Sequence, residues 1–130
     1  MAYCTHLSCH FYRRTGCWDT HGGQSWSLAV VCRLDDVFTE VVRPGETPYL
    51  KIDAHGYETR ILKGGLSVLE RFPLIQIETS FFPVYKDEPV IGGVIQFLAT
   101  LGFRVISFEP GWDDPRTGEM LQADLIFART

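Results

Sequence analysis

The stretch Pro48–Lys63, P-Y-L-K-I-D-A-H-G-Y-E-T-R-I-L-K, decides the fold of this chain. Its first part, Y-L-K-I, is apolar apart from one lysine, and this pattern predicts a short strand that ends at Asp53. Gly56 then permits a tight turn, after which apolar residues recur at helical spacing. The stretch therefore predicts a strand, a turn and a helix, with polar residues in the turn.

Three polar residues of this unit, Asp53, His55 and Glu58, follow the predicted strand. In open α/β sheets, ligands bind beyond the carboxyl ends of the strands, so these residues are candidates for a binding site. Glu58 also falls in the first turn of the predicted helix, where a negative charge is stabilised by the helix dipole. A functional and a structural interpretation are both open for it.

Composition limits the class of protein. The chain has 130 residues, of which 45% are hydrophobic and 22% charged, as expected for one globular domain. A net charge of −4 offers no basic surface for nucleic acid or an anionic membrane, so we expect neither partner. No apolar run approaches the roughly 20 residues that span a bilayer, and no signal peptide is evident. We expect a cytoplasmic protein.

The cysteines are concentrated in the first quarter of the chain, among three histidines. Their spacings, C-x4-C and C-x7-C, differ from the short paired spacings of structural zinc sites. We therefore expect no metal site and no stoichiometric zinc, and interpret residues 1–27 as an unpatterned segment that precedes a domain at residues 28–130. The residues concerned are Cys4, Cys9, Cys17, Cys32, His6, His10 and His21.

Apolar periodicity predicts four further strands and three further helical segments. A helix after Asp35-Asp36 carries Val37, Phe38, Val41 and Val42, and Gly64-Gly65 breaks the chain before a helical turn or two through Phe72. The fold class is α/β, with a mainly parallel sheet and a C-terminal antiparallel hairpin. The predicted strands are Leu28–Leu34, Tyr49–Asp53, Pro73–Glu78, Phe103–Phe108 and Leu121–Ala128, and the longest predicted helix is Pro89–Leu101.

Several motifs follow one another in order over roughly residues 29–129. They are R-L-D-D, L-K-I-D-A-H-G-Y-E with I-L-K-G-G, I-Q-I-E-T-S, V-Y-K-D-E-P, L-G-F-R-V, E-P-G-W-D-D-P-R-T-G-E and L-Q-A-D-L-I-F-A-R. Together they resemble the C-terminal half of FkbM-type methyltransferases. The resemblance implies a Rossmann-like class I methyltransferase fold that uses S-adenosylmethionine. It also implies O-methylation of a hydroxyl on a small molecule, glycan or lipid.

Two parts of the family's cofactor site have no counterpart in this sequence. The glycine-rich turn after the first strand and the acid that grips the ribose are both missing, because the pairs Gly22-Gly23, Gly64-Gly65 and Gly92-Gly93 do not join a strand to a helix. We therefore expect a truncated or frame-shifted form without its N-terminal strands. Such a chain should bind S-adenosylmethionine only above about millimolar concentration, because several hydrogen bonds are lost.

The expected absence of the N-terminal strands also favours an alternative function. A sheet without them exposes an edge, which favours self-association or pairing with a partner. The alternative is therefore a noncatalytic α/β interaction or oligomerisation module derived from the same fold.

The candidates for catalytic and cofactor-binding roles lie around the central turn and at the end of the next predicted strand. Asp53, His55 and Glu78 are the catalytic candidates, and Asp53, Gly56 and Glu58 the cofactor-binding ones. Asp53 could equally be a helix N-cap, and Glu78 a surface carboxylate. His55 departs from the Glu or Gln that is usual in the family, and this marks either a different acceptor or an exposed loop residue.

Three further residues are candidates for binding the acceptor. Tyr85 lies in an aromatic loop, and Gln122 and Asp124 match the family's final strand. Each also has a structural interpretation. Tyr85 could fill the core, and the polar pair could face solvent from a half-exposed strand.

Overall fold

The computed structural model describes residues 32–83 and 89–130, together with the backbone of three short segments nearer the N-terminus. Strands and helices alternate from residue 34 until the chain ends in two consecutive strands. The elements are β1 Leu7–Ser8, β2 Gly16–Trp18, β3 Gln24–Trp26, α1 Leu34–Val41, β4 Tyr49–Ile52, α2 Glu58–Lys63, a 3₁₀ helix Leu69–Arg71, β5 Leu74–Ser80, α3 Ile91–Thr100, β6 Phe103–Pro110 and β7 Gln122–Arg129.

The main sheet has the strand order β1-β4-β5-β7-β6. Strand β4 runs parallel to β5, whereas β7 is antiparallel to both of its neighbours. Strands β4, β5 and β6 therefore share one direction, and β7 lies reversed between the last two. This confirms the predicted α/β class and the antiparallel terminal pair, whereas the sheet is partly parallel and not mainly parallel as predicted. The arrangement is consistent with a methyltransferase-like fold.

One face of the sheet forms the hydrophobic core. Alternate residues of β4, β5 and β7 are buried on that face, as expected for strands whose side chains point to opposite sides. The helices add their apolar residues to the same cluster. Its buried members are Leu34, Phe38, Val42, Leu50, Ile52, Ile61, Leu62, Leu69, Phe72, Ile75, Ile77, Val94, Leu98, Phe103, Leu125 and Phe127.

The first predicted strand is wrong at its C-terminal end. Residues 28–31 lie outside the described part of the chain, Arg33 precedes the helix, and Leu34 is the first residue of α1. Leu34 is only 1% exposed, so its apolar character reflects burial at a helix start. Asp35 lies within the first turn and accepts hydrogen bonds from the Ser67 backbone N–H and hydroxyl. The predicted short helix itself is confirmed.

The segment after Gly64-Gly65 is shorter than predicted. A turn leads into the 3₁₀ helix Leu69–Arg71, and no second α-helix forms there. Gly65 is required for packing, because a β-carbon at this position would lie 2.6 Å from Leu34 Cδ2. The predicted helix Pro89–Leu101 is confirmed as Ile91–Thr100, and Gly102 follows it with φ +81°.

Three short strands occur within residues 1–27, where the sequence predicts no regular structure. Strand β1 runs parallel to β4, with Leu7 opposite Leu50 and Ser8 opposite Lys51. Strands β2 and β3 form a separate antiparallel pair. In the described part of the chain, no helix is long and apolar enough to cross a membrane.

Candidate functional site

The turn that follows β4 is held by Glu58. His55 and Gly56 have positive φ angles of 47° and 96°, which produce a sharp change of direction. Both carboxylate oxygens of Glu58 accept a hydrogen bond from the Gly56 backbone N–H at 3.1 Å, and Oε1 accepts another from Ala54 at 3.2 Å. Glu58 is 4% exposed. The described contacts of its carboxylate are therefore with the backbone of the turn, which it fixes.

This turn brings Asp53 and His55 to Glu78. Ile52 pairs with Ile77 in the parallel register, so Asp53 leaves β4 beside Glu78 of β5. His55 Nδ1 lies 3.6 Å from Asp53 Oδ1 and 3.6 Å from Glu78 Oε2. One donor atom from each of the three side chains lies within 4.8 Å of the others. The three catalytic candidates thus form one group at the carboxyl ends of two neighbouring strands.

The electrostatic environment changes the acidity of Glu78. Partial burial raises the pKa of its carboxyl group, and the negative charge of Asp53 raises it further, whereas His55 lowers it. A hydrogen bond with Asp53 and the charge of Asp124 also raise this pKa. Glu78 therefore holds a proton more readily than an ordinary glutamate, which is a property of groups that exchange protons during catalysis.

Glu78 belongs to a row of carboxylates that crosses the sheet. Asp124 of β7 lies opposite Glu78 in the strand register and opposite Glu109 of β6 on its other side. Like charges in directly opposed positions destabilise a sheet. One carboxylate oxygen of Asp124 is buried and accepts no hydrogen bond from the part of the chain that the structure describes. Gln122, two residues earlier on β7, donates a hydrogen bond of 3.3 Å to the Ser80 hydroxyl.

The structure therefore brings together most of the predicted site residues. Asp124 lies opposite Glu78, next to the group of catalytic candidates, and Gln122 lies at the same end of β5. Gly56 and Glu58 contact each other within the turn. Glu109 was not a candidate in the sequence, because only the register of β6 against β7 places it opposite Asp124.

Some predictions fall on residues that the structure does not describe. Tyr85 lies within residues 84–88, outside the described chain. The same holds for Cys4, Cys9 and the three N-terminal histidines, and Cys17 is described only as backbone. Cys32 is a free, exposed thiol.

Comparison with protein-family models gives one match. Residues 29–105, more than half of the chain, match the model described as the methyltransferase FkbM domain. The matched range includes β4, the turn after it, and β5 with Glu78. Comparison with curated proteins and with solved structures gives no significant match.

Proposed function

Because this chain belongs to the FkbM methyltransferase domain family, we propose that it is an S-adenosylmethionine-dependent O-methyltransferase. Its acceptor would be a hydroxyl on a small molecule, glycan or lipid. The observation that carries the proposal is the meeting of Asp53, His55 and Glu78 at the carboxyl ends of β4 and β5. We further propose that residues 28–130 form part of a Rossmann-like sheet, to which the 1–27 segment is an addition.

The site is chemically suited to this cofactor. S-adenosylmethionine supplies an electrophilic methyl group on a positively charged sulfonium. Asp53 and Glu78 place two carboxylates beside each other, and among the described residues their ion pairs are with His55 alone. Such an anionic rim attracts a cation. The same residues supply only one side of a site, since in the described ranges no glycine-rich turn joins a strand to a helix.

The residues of this chain would position the acceptor and take part in proton transfer. Methyl transfer to a hydroxyl would release the hydroxyl proton, which the chain would have to accept. His55 lies between two carboxylates and is placed to accept that proton, and Glu78 with its raised pKa can hold it. Asp53 would orient His55 and the acceptor. Glu58 would act only by holding the turn.

We expect weak binding of S-adenosylmethionine that depends on Asp53. Saturation-transfer NMR with about millimolar cofactor detects dissociation constants near the millimolar range. Binding of this strength is expected when the chain supplies only one side of the cofactor site. The wild-type chain should transfer saturation to the cofactor, and Asp53→Ala should abolish the signal. Incubation with deuterated-methyl cofactor should label hydroxylated acceptors, and Asp53→Ala should reduce the labelling more than it reduces thermal stability.

Asp36→Ala is the matched control, because Asp36 is an exposed aspartate on α1. It should leave both measurements unchanged. The proposal fails if the wild-type chain gives no signal, or if Asp53→Ala leaves the signal intact. Micromolar binding by the 130-residue chain would contradict the expectation of a one-sided site.

A noncatalytic interaction module is the second candidate, and both edges of the sheet favour it. On one edge, the described pairing of β1 with β4 covers two residues of each strand. On the other, β6 is the outer strand and carries Ile106 and Phe108, which are 46% and 44% exposed. Unpaired strands beside apolar side chains are common sites of association.

If this second candidate is correct, the chain should self-associate at micromolar concentration. Multi-angle light scattering should give a mass above that of one chain, and Phe108→Lys should return it towards one chain by placing a charge on the edge. Arg104→Lys, an exposed position on the same strand, keeps its charge and serves as the control. A sharply monomeric wild-type protein would contradict self-association.

A further inference from the structure

We propose that Asp53, His55 and Glu78 bind a divalent first-row transition cation. The cysteine spacings of the sequence predict no metal site, and these three donors are brought together only by the fold. They belong to the site proposed for methyl transfer. Cation binding, however, needs neither the methyl donor nor an acceptor, so the two proposals can fail separately.

The distances fit an ion between the three side chains. Nitrogen and oxygen ligands about 2.1 Å from a tetrahedral ion lie about 3.4 Å from one another. His55 Nδ1 is 3.6 Å from Asp53 Oδ1 and 3.6 Å from Glu78 Oε2, close to that separation. All three donor atoms lie within 4.8 Å. Side-chain rotations alone can therefore bring the three donors to bonding distance.

The negative charge around the three side chains provides a second, independent reason to propose a bound cation. Behind Glu78, the row continues with Asp124 and Glu109, which are opposed in the strand register. In the described residues, no lysine or arginine forms an ion pair with any of these carboxylates. Asp124 also keeps a buried oxygen that accepts no hydrogen bond from the described part of the chain. Among the described residues, His55 is the only basic side chain paired with this concentration of negative charge, and a divalent ion would add positive charge to it.

The donor set indicates the class of ion. Carboxylates suit Mg²⁺, Ca²⁺ and Mn²⁺, whereas imidazole suits zinc, iron, nickel and copper. Two carboxylates with one imidazole therefore favour a first-row transition ion over calcium. His55 and Asp53 are 60% and 43% exposed, which leaves room for water or an acceptor oxygen as further ligands.

Mn²⁺ is a suitable probe, because its electron paramagnetic resonance signal reports both affinity and ligands. We expect the 130-residue chain, without S-adenosylmethionine, to bind one Mn²⁺. Asp53→Asn and Glu78→Gln should each weaken Mn²⁺ binding by more than roughly tenfold. A loss of about tenfold is typical when a residue that only hydrogen-bonds to a metal ligand is removed. Electron spin echo measurements should show a directly bound nitrogen, which His55→Gln removes.

Two controls separate this site from the rest of the chain. Asp36→Asn, on the exposed side of α1, should bind Mn²⁺ as the wild type does. Cys4→Ser with Cys9→Ser should also leave binding unchanged. Circular dichroism and thermal unfolding check that each variant is folded.

Three results would overturn the proposal. They are absence of Mn²⁺ binding at millimolar metal, binding that survives both Asp53→Asn and Glu78→Gln, and binding that is lost with the cysteine variant. If Mn²⁺ fails to bind but the Asp53-dependent cofactor signal is present, the sulfonium is the cation that this site recognises. The metal proposal would then be wrong and the methyltransferase proposal would remain.

Discussion

Replacing Glu58 by alanine should lower the free energy of unfolding by about 3 kcal/mol, because hydrogen bonds to a charged group contribute about 1.5–3 kcal/mol each. The carboxylate accepts bonds from the Ala54 and Gly56 backbone, and its removal leaves those N–H groups without this partner. The turn that carries His55 should then loosen. Urea unfolding followed by circular dichroism measures the stability, and Mn²⁺ affinity reports the loosening of the site.

Two further variants test the cause of this loss. Glu58→Gln keeps one oxygen acceptor without the charge and should cost roughly half as much, about 1.5 kcal/mol. Glu40→Ala removes an exposed glutamate from α1 and should change stability by less than about 0.5 kcal/mol. If Glu58→Ala behaves like Glu40→Ala, the buried carboxylate does not hold the turn.

Phe72→Ala should destabilise the protein by about 4 kcal/mol, within the range for removing a large buried aromatic side chain. Phe72 is 0% exposed and meets the ring of Phe38 edge-to-face, with centroids 5.5 Å apart. The substitution would remove the ring contact with Phe38 of α1 and leave a cavity in the core. Because a domain is stable by only about 5–15 kcal/mol, the variant should melt far below the wild type.

Phe82 provides the matched comparison for Phe72. It is the same residue type but is 57% exposed, so Phe82→Ala should change stability by less than about 0.5 kcal/mol. Thermal unfolding by circular dichroism compares the two variants. Equal losses would mean that the 3₁₀ segment before β5 does not pack as described.

Most of the fold could be predicted from the sequence, because the periodic apolar positions of the sequence correspond to buried positions in the structure. The alternation of β5 and the apolar positions of α3 both correspond to observed burial. The sequence predicts the break at Gly64-Gly65, but it assigns Leu34 to a strand and does not reveal that Leu34 and Gly65 lie against each other. Leu34 is apolar because it is buried at the start of α1, and Gly65 is small because it lies against Leu34. Neither fact has a local signal.

The candidate site could likewise be predicted from the sequence only in part. Asp53 and Glu78 are predictable, since Asp53 follows β4, Glu78 lies near the end of β5, and parallel strands end at the same edge of a sheet. Their contact with His55 depends on the left-handed backbone at residue 55, and the opposition of Asp124 to Glu109 depends on a register shift between Val105 and Ser107. Such details arise from tertiary pairing, which a single sequence does not encode in any short pattern.

The reversed position of β7 has a consequence for how the protein is made. Strands β5 and β6 are not neighbours and are joined through β7, which follows both of them in the chain. During synthesis, β6 emerges while β7, the strand that pairs with both β5 and β6, is still absent. The sheet can therefore close only after Arg129 has been added, and a ribosome-bound chain shorter than this should remain open to proteases at β6.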